Sequence, residues 1–396
     1  MTAIDGRLGV LYVHTPTAPP LGADVWVHAR IMEALDRDTH EVFAACAYGP
    51  RDARTPTYRE LSGIADLDLR AVDFGPELSG GSRRDKVVGL LRTLPAPLSI
   101  ARLAWLVRRR RIRIVATSDR PRDALVCVLL GRLTGAHSVV HVHVGWGEWM
   151  SGMLKWSLRH ADALVGVSKY VAGTLVASGH DAARVYAAPN AVDIGRWEPG
   201  VGRAEARRTL GLADDVPVVL TVCRLFPGKG TAELIRALAL VRQQRPATVL
   251  LVVGRETQAG FANELERLAG DLGQDAHVRF LGLRSDVPAL MAAADVYAMP
   301  SLHEPFGLVF AEAMAMELPV VALASGGAPE VVDDGRTGFL APEGDIEALA
   351  GHVLALVEDP ELRRTMGAQG RKHVESQFTT DRMARDVAAV YRRVVL

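Results

Sequence analysis

Two carboxylates with seven residues between them mark the stretch of this chain richest in chemistry. Residues 301–316 read Ser-Leu-His-Glu-Pro-Phe-Gly-Leu-Val-Phe-Ala-Glu-Ala-Met-Ala-Met, so Glu304 and Glu312 bracket Pro305 and Gly307. Proline suits the first turn of a helix, which predicts Glu304 in the preceding loop and Glu312 well inside the helix. Helical steps from one acid to the other would cover about 12 Å at 1.5 Å per residue. That is close to the reach from sugar to ribose in a nucleotide sugar. Between the acids, free N–H groups at the positive helix end offer a seat for a diphosphate.

A second group is Val222-Cys-Arg-Leu-Phe-Pro-Gly-Lys-Gly, which sets Arg224 and Lys229 around a Pro-Gly turn after an apolar run. Two cations there could clamp a diphosphate and offset charge on a departing phosphate. Taken alone, an Arg and a Lys in a loop are more often just solvated; paired with the 304–312 segment, the clamp is the better reading. The Walker pattern is absent, so this is not a P-loop. In the loop Thr15–Asp24, Gly22 could admit phosphates close to the backbone, or be a plain turn glycine. His141-Val-His143 places two imidazoles on one strand face; they read as a ligand-facing pair, as buried structural histidines or as part of a metal site. His143, before a Gly-rich turn, is the better placed of the two to face a ligand. The Gly-rich loop Ala324-Ser-Gly-Gly-Ala-Pro-Glu could close over a sugar or be a simple turn.

The elements that must position these groups are short apolar strands alternating with amphipathic helices. In the first half, strands are expected at Leu8–Val13, Glu41–Ala47, Ile112–Ala116, Ser138–Val144, Leu164–Val167 and Val185–Ala188. Helices are expected near Trp26–Leu35 and Asp123–Arg132. The second half restarts at Val216–Val222, with a helix near Thr231–Arg242 and strands at Thr248–Val253, Val278–Leu281, Val296–Met299 and Pro319–Ala322. Such alternation implies α/β architecture with parallel sheets covered on both faces. Two runs imply two doubly wound, Rossmann-like domains facing a cleft, joined by a linker at Asp193–Gly202. Residues 76–86, polar and glycine-rich, read as a surface loop.

Composition is ordinary for a soluble globular protein: 396 residues, 49% hydrophobic and 23% charged. The formal charge is zero, yet residues 1–200 hold 25 Lys+Arg against 20 Asp+Glu and residues 201–396 hold 21 against 26. The basic half leaves room for a weak peripheral membrane contact, and Arg108–Arg113 reads as either a headgroup patch or a charged helix end. Nothing points to nucleic acid as a partner. Three scattered cysteines argue against disulfides or a structural zinc and fit a reducing compartment. No leader pattern is read at the start, so a cytoplasmic location is expected.

Together these motifs resemble the retaining glycosyltransferases of family four, which have the GT-B fold. The resemblance is carried by Asp162-Ala-Leu-Val-Gly-Val-Ser168, Pro189-Asn-Ala-Val-Asp193, Arg224 with Lys229, and Phe280-Leu-Gly282. It continues through Glu304 and Glu312, Gly326-Gly-Ala-Pro-Glu330 and Asp334-Gly-Arg-Thr-Gly-Phe-Leu. It implies an acceptor-binding domain over residues 1–195, with the final helix within 380–396 packing back on it, and a nucleotide-sugar domain over 196–379. Arg224 and Lys229 would bind the donor diphosphate, supported by the amides of Gly307, Leu308 and Val309. Glu312 would hold the ribose and Glu304 the sugar hydroxyls. His143 would stand near the transferring sugar, and Gly282 and Leu283 would lie against the nucleobase. Many relatives carry a Gly-Gly pair where this chain has Leu21-Gly22, so Gly22 alone must serve the phosphates.

The expected reaction is transfer of a hexosyl or N-acetylhexosaminyl group, with retained configuration, from a nucleotide diphosphate sugar to an acceptor hydroxyl. UDP is the nucleotide favoured by family frequency. The donor is a co-substrate; no cofactor or metal is expected, because two cations and a helix dipole supply the positive charge. The acceptor would be a small molecule or lipid-linked. Competing readings are a non-catalytic nucleotide-sugar-binding protein, a sugar-nucleotide epimerase, and a glycosidase using the two glutamates as acid and base.

Overall fold

The computed structural model describes residues 6–16, 22–47, 55–75, 95–198 and 200–396. The chain divides into two units, Met1–Asn190 with Thr380–Leu396, and Ala191–Thr379. The expected boundary after residue 195 therefore falls inside the opening segment of the second unit. The expected linker holds a short turn of helix at Ile194–Arg196. The loop expected at 76–86 lies outside the described residues.

The first unit is built on a seven-stranded parallel sheet. Its strands are β1 (Leu8–His14), β2 (His40–Ala47), β3 (Asp68–Val72), β4 (Ile114–Ser118), β5 (His137–Val142), β6 (Ala163–Gly166) and β7 (Val185–Ala187), in the order β3-β2-β1-β4-β5-β6-β7. β1 and β4 are buried along nearly their whole length, as expected of strands covered on both faces. The helix Thr380–Val395 belongs to this unit and packs on the Ala23–Ala34 helix. Its buried residues Met383, Ala384, Val387, Ala388 and Tyr391 recur at helical spacing, which gives it one apolar stripe.

In the second unit six parallel strands follow the order β10-β9-β8-β11-β12-β13. They are β8 (Val218–Val222), β9 (Val249–Val253), β10 (Val278–Gly282), β11 (Val296–Met299), β12 (Val320–Leu323) and β13 (Gly338–Ala341). Arg207 is fully buried and ties this unit together: its guanidinium donates to Asp295 Oδ2 at 2.8 Å and to the carbonyl of Val216 at 2.9 Å. Both sheets reverse their winding order once, between β1 and β4 and between β8 and β11. In open parallel sheets the crevice outside the carboxyl ends of such neighbours is where ligands bind.

Candidate active site

Four of the sequence motifs meet the same edge of the second sheet. Because its strands are parallel, the segments after β8, β10, β11 and β12 all leave from their carboxyl ends. At or just past those ends stand Arg224 and Lys229, Gly282 (the last residue of β10) and Leu283, Glu304, and Gly326 with Gly327 respectively. β8 and β11 are hydrogen-bonded neighbours at the reversal, so the cationic loop and the Glu304 loop stand side by side.

Their contact is direct. Lys229 Nζ lies 2.6 Å from Glu304 Oε2, and Ser301 Oγ donates to the same oxygen at 2.9 Å. Leu302 N–H donates to the carbonyl of Gly228 at 3.0 Å, which closes backbone to backbone beside the ion pair. Glu304 is buried, and its Oε1 has no hydrogen-bond partner among the described residues. One carboxylate oxygen is thus anchored while the other is free to accept. Arg224 is exposed, its guanidinium 5.6 Å from the Phe226 ring, and Lys229 approaches that ring at 6.0 Å.

The neighbouring loop presses on Glu304 from its backbone side. Gly327 N–H donates to the Glu304 carbonyl at 2.6 Å, and Ser325 Oγ accepts from His303 N–H at 3.0 Å. A Cβ at Gly326 would stand 2.5 Å from Glu304 N and O, so only glycine permits this approach. The glycines of 324–330 therefore brace the acid's backbone, a role the sequence left open between a sugar cover and a simple turn. His303, just before Glu304, takes φ 52°, a left-handed conformation uncommon for a residue with a side chain.

The helix after this loop begins later than the proline implied. It spans Leu308–Ala315, and Gly307 at φ 90° is its N-cap. Pro305 stays in the preceding bend because the left-handed Gly307 interrupts the helical path. The helical stretch between the acids is correspondingly shorter, and the 12 Å span expected from a continuous helix does not apply. The first-turn N–H groups, those of Leu308 and Val309 among them, have no acceptor within the helix and face the same edge as Glu304. Glu312 does lie inside the helix, half-buried and without a polar partner among the described residues. Burial pushes its carboxyl up to about 7. On β10, Gly282 pairs with Val253 after a bulge, and Leu283 is 75% exposed.

The first unit gathers a different set at its own reversal. β5 ends at Val142, so His141 lies in the strand and His143 just beyond it. The rings of His141 and His143 both pack on His28, with centroids at 4.7 and 5.8 Å, and His14 joins them at 5.1 Å. Tyr391 completes the group: its hydroxyl is 3.1 Å from His141 Nε2 and 2.8 Å from the Tyr12 hydroxyl. Burial lowers His14 to about 4 and His141 to about 3, and it holds His28 well below the ordinary value. Among the described residues no three His, Cys, Asp or Glu side chains are arranged to hold a metal ion.

His143 keeps an orphaned Nε2, while its backbone N–H donates to Asp119 at 3.0 Å. Gly22 caps the Ala23–Ala34 helix with ordinary extended backbone, at φ −78°. That helix start is served by its own carboxylate. Asp24 sits in the first turn, gripped by both Arg120 Nε (2.7 Å) and Nη2 (2.9 Å), with Ser118 Oγ at 3.0 Å. Burial pushes the Asp24 carboxyl up, but the Arg120 guanidinium outweighs it and holds it well below the usual range. Gly22 stands out only because a Cβ would strike Asp24 and Arg120; residues 17–21 of its loop are outside the described set.

Sequence reasoning passed over Ser301, Ser325, Asp119, His14, His28 and the Asp24–Arg120 pair. The available signal was positional: His14 ends β1 and Asp119 follows β4, the two strands flanking the reversal.

Comparison with known proteins fits this arrangement. Residues 22–196 match the family model "Glycosyltransferase Family 4", and residues 202–373 match "Glycosyl transferases group 1". A GDP-mannose-dependent alpha-(1-6)-phosphatidylinositol monomannoside mannosyltransferase of Mycolicibacterium smegmatis is 36% identical over 296 residues, 70% of this chain and 76% of the relative. The chain belongs to glycosyltransferase family 4. Another relative, the GDP-mannose-dependent monoacylated alpha-(1-6)-phosphatidylinositol monomannoside mannosyltransferase of Corynebacterium glutamicum, is 33% identical over 309 residues, 73% of this chain and 79% of its own. In fold, likeness to solved structures extends over nearly the entire chain. Anabaena HepE in complex with UDP superposes with a TM-score of 0.78 at 23% identity, covering 98% of this chain and 100% of that one. Sucrose-phosphate synthase from Thermosynechococcus elongatus gives 0.75 at 25% identity, with 98% and 99% covered. The two sheets are those of a GT-B glycosyltransferase, an enzyme acting on a nucleotide sugar and an acceptor. No described helix is long and apolar enough to cross a membrane.

Proposed function

We propose that the chain transfers a hexosyl group, with retained anomeric configuration and without a metal, from a nucleoside diphosphate sugar to the hydroxyl of a cyclitol-containing acceptor. The observation that carries this is the anchored Glu304. One oxygen is held by Lys229 and Ser301 and the other is open, beside unpaired helix N–H groups and the exposed Arg224. In this reading Arg224, Lys229 and the amides of Gly307, Leu308 and Val309 hold the diphosphate. Glu304 takes sugar hydroxyls, Glu312 the ribose, and Gly282 with Leu283 the base. His143, with its orphaned Nε2, contacts the transferring sugar; Gly22 is the weakest member, since Asp24 already serves its helix end.

Chemically, the anomeric carbon–phosphate oxygen bond breaks as the acceptor oxygen attacks the same face. The acceptor proton passes to the departing phosphate oxygen, so no protein nucleophile is needed. Positive groups fixed where that phosphate gains charge lower the barrier, and they supply what a divalent cation supplies elsewhere. For the donor, the GDP-mannose dependence of the mycobacterial and corynebacterial relatives supports GDP-mannose ahead of the UDP-sugar suggested by family frequency. Inositol-based acceptors are supported in the same way.

The test is a donor panel of GDP-mannose, UDP-glucose and UDP-N-acetylglucosamine, with nucleotide release followed with and without inositol phosphate or phosphatidylinositol mannoside, in EDTA throughout. Acceptor-dependent release from one donor, giving an α-linked product, is expected. Binding without release for any pair would favour a sensor, and a β-linked product would remove the retaining mechanism.

A further inference from the structure

Three helices of the first unit, Pro95–Arg109, Pro121–Thr134 and Gly152–His160, connect β3 to β4, β4 to β5 and β5 to β6. All three crossovers advance in one direction across the sheet, so right-handed connections set them on one face. The middle helix packs against both of the others. The outer surface of this layer, with the turn leading into its third helix, carries Leu98, Trp105, Leu133, Trp149, Met153 and Trp156. These are six of the eleven large apolar side chains exposed among the described residues. Trp105 is 61% exposed and Trp149 is 67% exposed.

The same layer concentrates positive charge. Residues 95–161 hold 11 Lys+Arg against 3 Asp+Glu, whereas the rest of residues 1–200 holds 14 against 17. The basic excess of the first half therefore resides here. Of the three acids, Asp119 and Asp123 belong to the strand-end network, and Glu148 is paired with Lys155. Arg102, Arg109 and Arg132 have no carboxylate partner among the described residues. Two of these stack on the exposed tryptophans: Arg109 lies 5.2 Å from the Trp105 ring and Arg132 lies 5.0 Å from Trp156. Arg70, Arg102, Arg109 and Arg110 also line a groove of about 650 Å³ with Leu103 and Leu106 among its apolar walls.

Arginines at helix ends complement the dipole, but that does not account for Arg102 within its helix or for the exposed tryptophans. Tryptophan and leucine interleaved with unpaired arginine suit a bilayer interface, where the rings settle at headgroup level and the cations meet phosphate. Duplex nucleic acid would call on the charge without the apolar bulk. We propose that this three-helix layer docks the protein on an anionic lipid bilayer, through apolar contact from Leu98, Trp105 and Trp156 and headgroup pairing by Arg102, Arg109 and Arg132. The inference is independent of the donor and acceptor assigned above.

The experiment is flotation of the purified full chain with vesicles of phosphatidylglycerol and phosphatidylcholine, and with phosphatidylcholine alone. Recovery with the anionic vesicles only, lost at about 0.5 M NaCl where screening shortens to a few ångströms, is expected. The Arg102→Glu/Arg109→Glu/Arg132→Glu variant should partition at least about tenfold less, because each cation near an anionic surface adds to binding. Trp105→Ala should also weaken recovery. Both variants are compared at equal melting temperature and equal nucleotide-sugar affinity. Should a variant not fold, quenching of wild-type tryptophan fluorescence by brominated phosphatidylglycerol gives the same reading. Equal recovery on both vesicle types, no recovery on either, or an unchanged arginine variant would each overturn the proposal. So would duplex DNA binding, or self-association that these variants abolish, without vesicle binding.

Discussion

Lys229 and Glu304 stand 75 residues apart in sequence, yet their side chains meet at 2.6 Å. Both are largely buried, with side chains 13% and 10% exposed. The pair exists because β8 and β11 are hydrogen-bonded neighbours, so the segments leaving their carboxyl ends run side by side. Removing either partner leaves the other charge poorly solvated. Single Lys229→Ala and Glu304→Ala variants should each destabilise the second unit. The double variant should cost less than their sum by about 0.5–3 kcal/mol, the range for contacting residues. Urea melts of the four proteins measure it; strict additivity would mean that the ion pair contributes nothing.

On activity, Lys229→Ala should lower kcat by about 10²–10³-fold, the scale for loss of one fixed group that stabilises transition-state charge. Glu304→Gln should retain the fold and lose sugar discrimination. Near-normal turnover in the lysine variant, with acceptor saturating, would take Lys229 out of the phosphate site.

Glu312 gives a pH signature. Its folded carboxyl titrates at about 7, above its ordinary range, because burial disfavours the charge. A ribose is held better by the carboxylate, so donor affinity should rise with pH through about 7 in the parent and lose that rise in Glu312→Gln. The stability term has the opposite sense: between the unfolded value and 7 the folded state holds the extra proton, so stability falls as pH rises across that window. Titration calorimetry from pH 5.5 to 8.5 separates the two, and a flat affinity profile in the parent would exclude the ribose role.

The histidine cluster predicts acid sensitivity. His14 and His141 resist protonation in the folded unit, whereas unfolded histidine takes a proton near 6.5. Their contribution to stability is complete above 6.5 and is lost as pH falls toward 3–4, since the unfolded chain then binds more protons. His14→Phe with His141→Phe should flatten part of that fall. Denaturant midpoints between pH 8 and 4 check it, and identical slopes in parent and variant would show that the imidazoles are not responsible.

Gly326 can be tested sterically. Its φ of 62° and the 2.5 Å approach of the Glu304 backbone leave no room for a side chain. Gly326→Ala should cost about 1–3 kcal/mol through backbone strain and shift Glu304. Activity should then fall further than the stability loss alone explains. An alanine variant with parental kinetics would show that the brace is dispensable.

Much of the fold was legible because buried parallel strands leave continuous apolar runs. β11 was read with its observed limits, Val296–Met299, and β8 and β9 to within two residues of theirs. β3 was missed because Asp68 and Arg70 punctuate a half-exposed edge strand. The late helix start at Leu308 was hidden because Pro305 and Gly307 each signal a helix beginning, and only backbone geometry shows which one prevails. At the site, Lys229 and the two glutamates were found, while Ser301, Asp119, His28 and the Asp24–Arg120 pair were not. Their importance comes from a neighbour brought in by sheet order, and no local pattern encodes that.

The return of the Thr380–Val395 helix to the first unit has a consequence for biosynthesis. The second unit is contiguous, so it can close as soon as it clears the ribosome. The first unit, although begun earlier, lacks the Tyr391 hydroxyl that joins Tyr12 to His141 until this helix emerges. Nascent chains should therefore acquire protease resistance in the second unit first, with the first unit maturing only once the Thr380–Val395 helix has emerged.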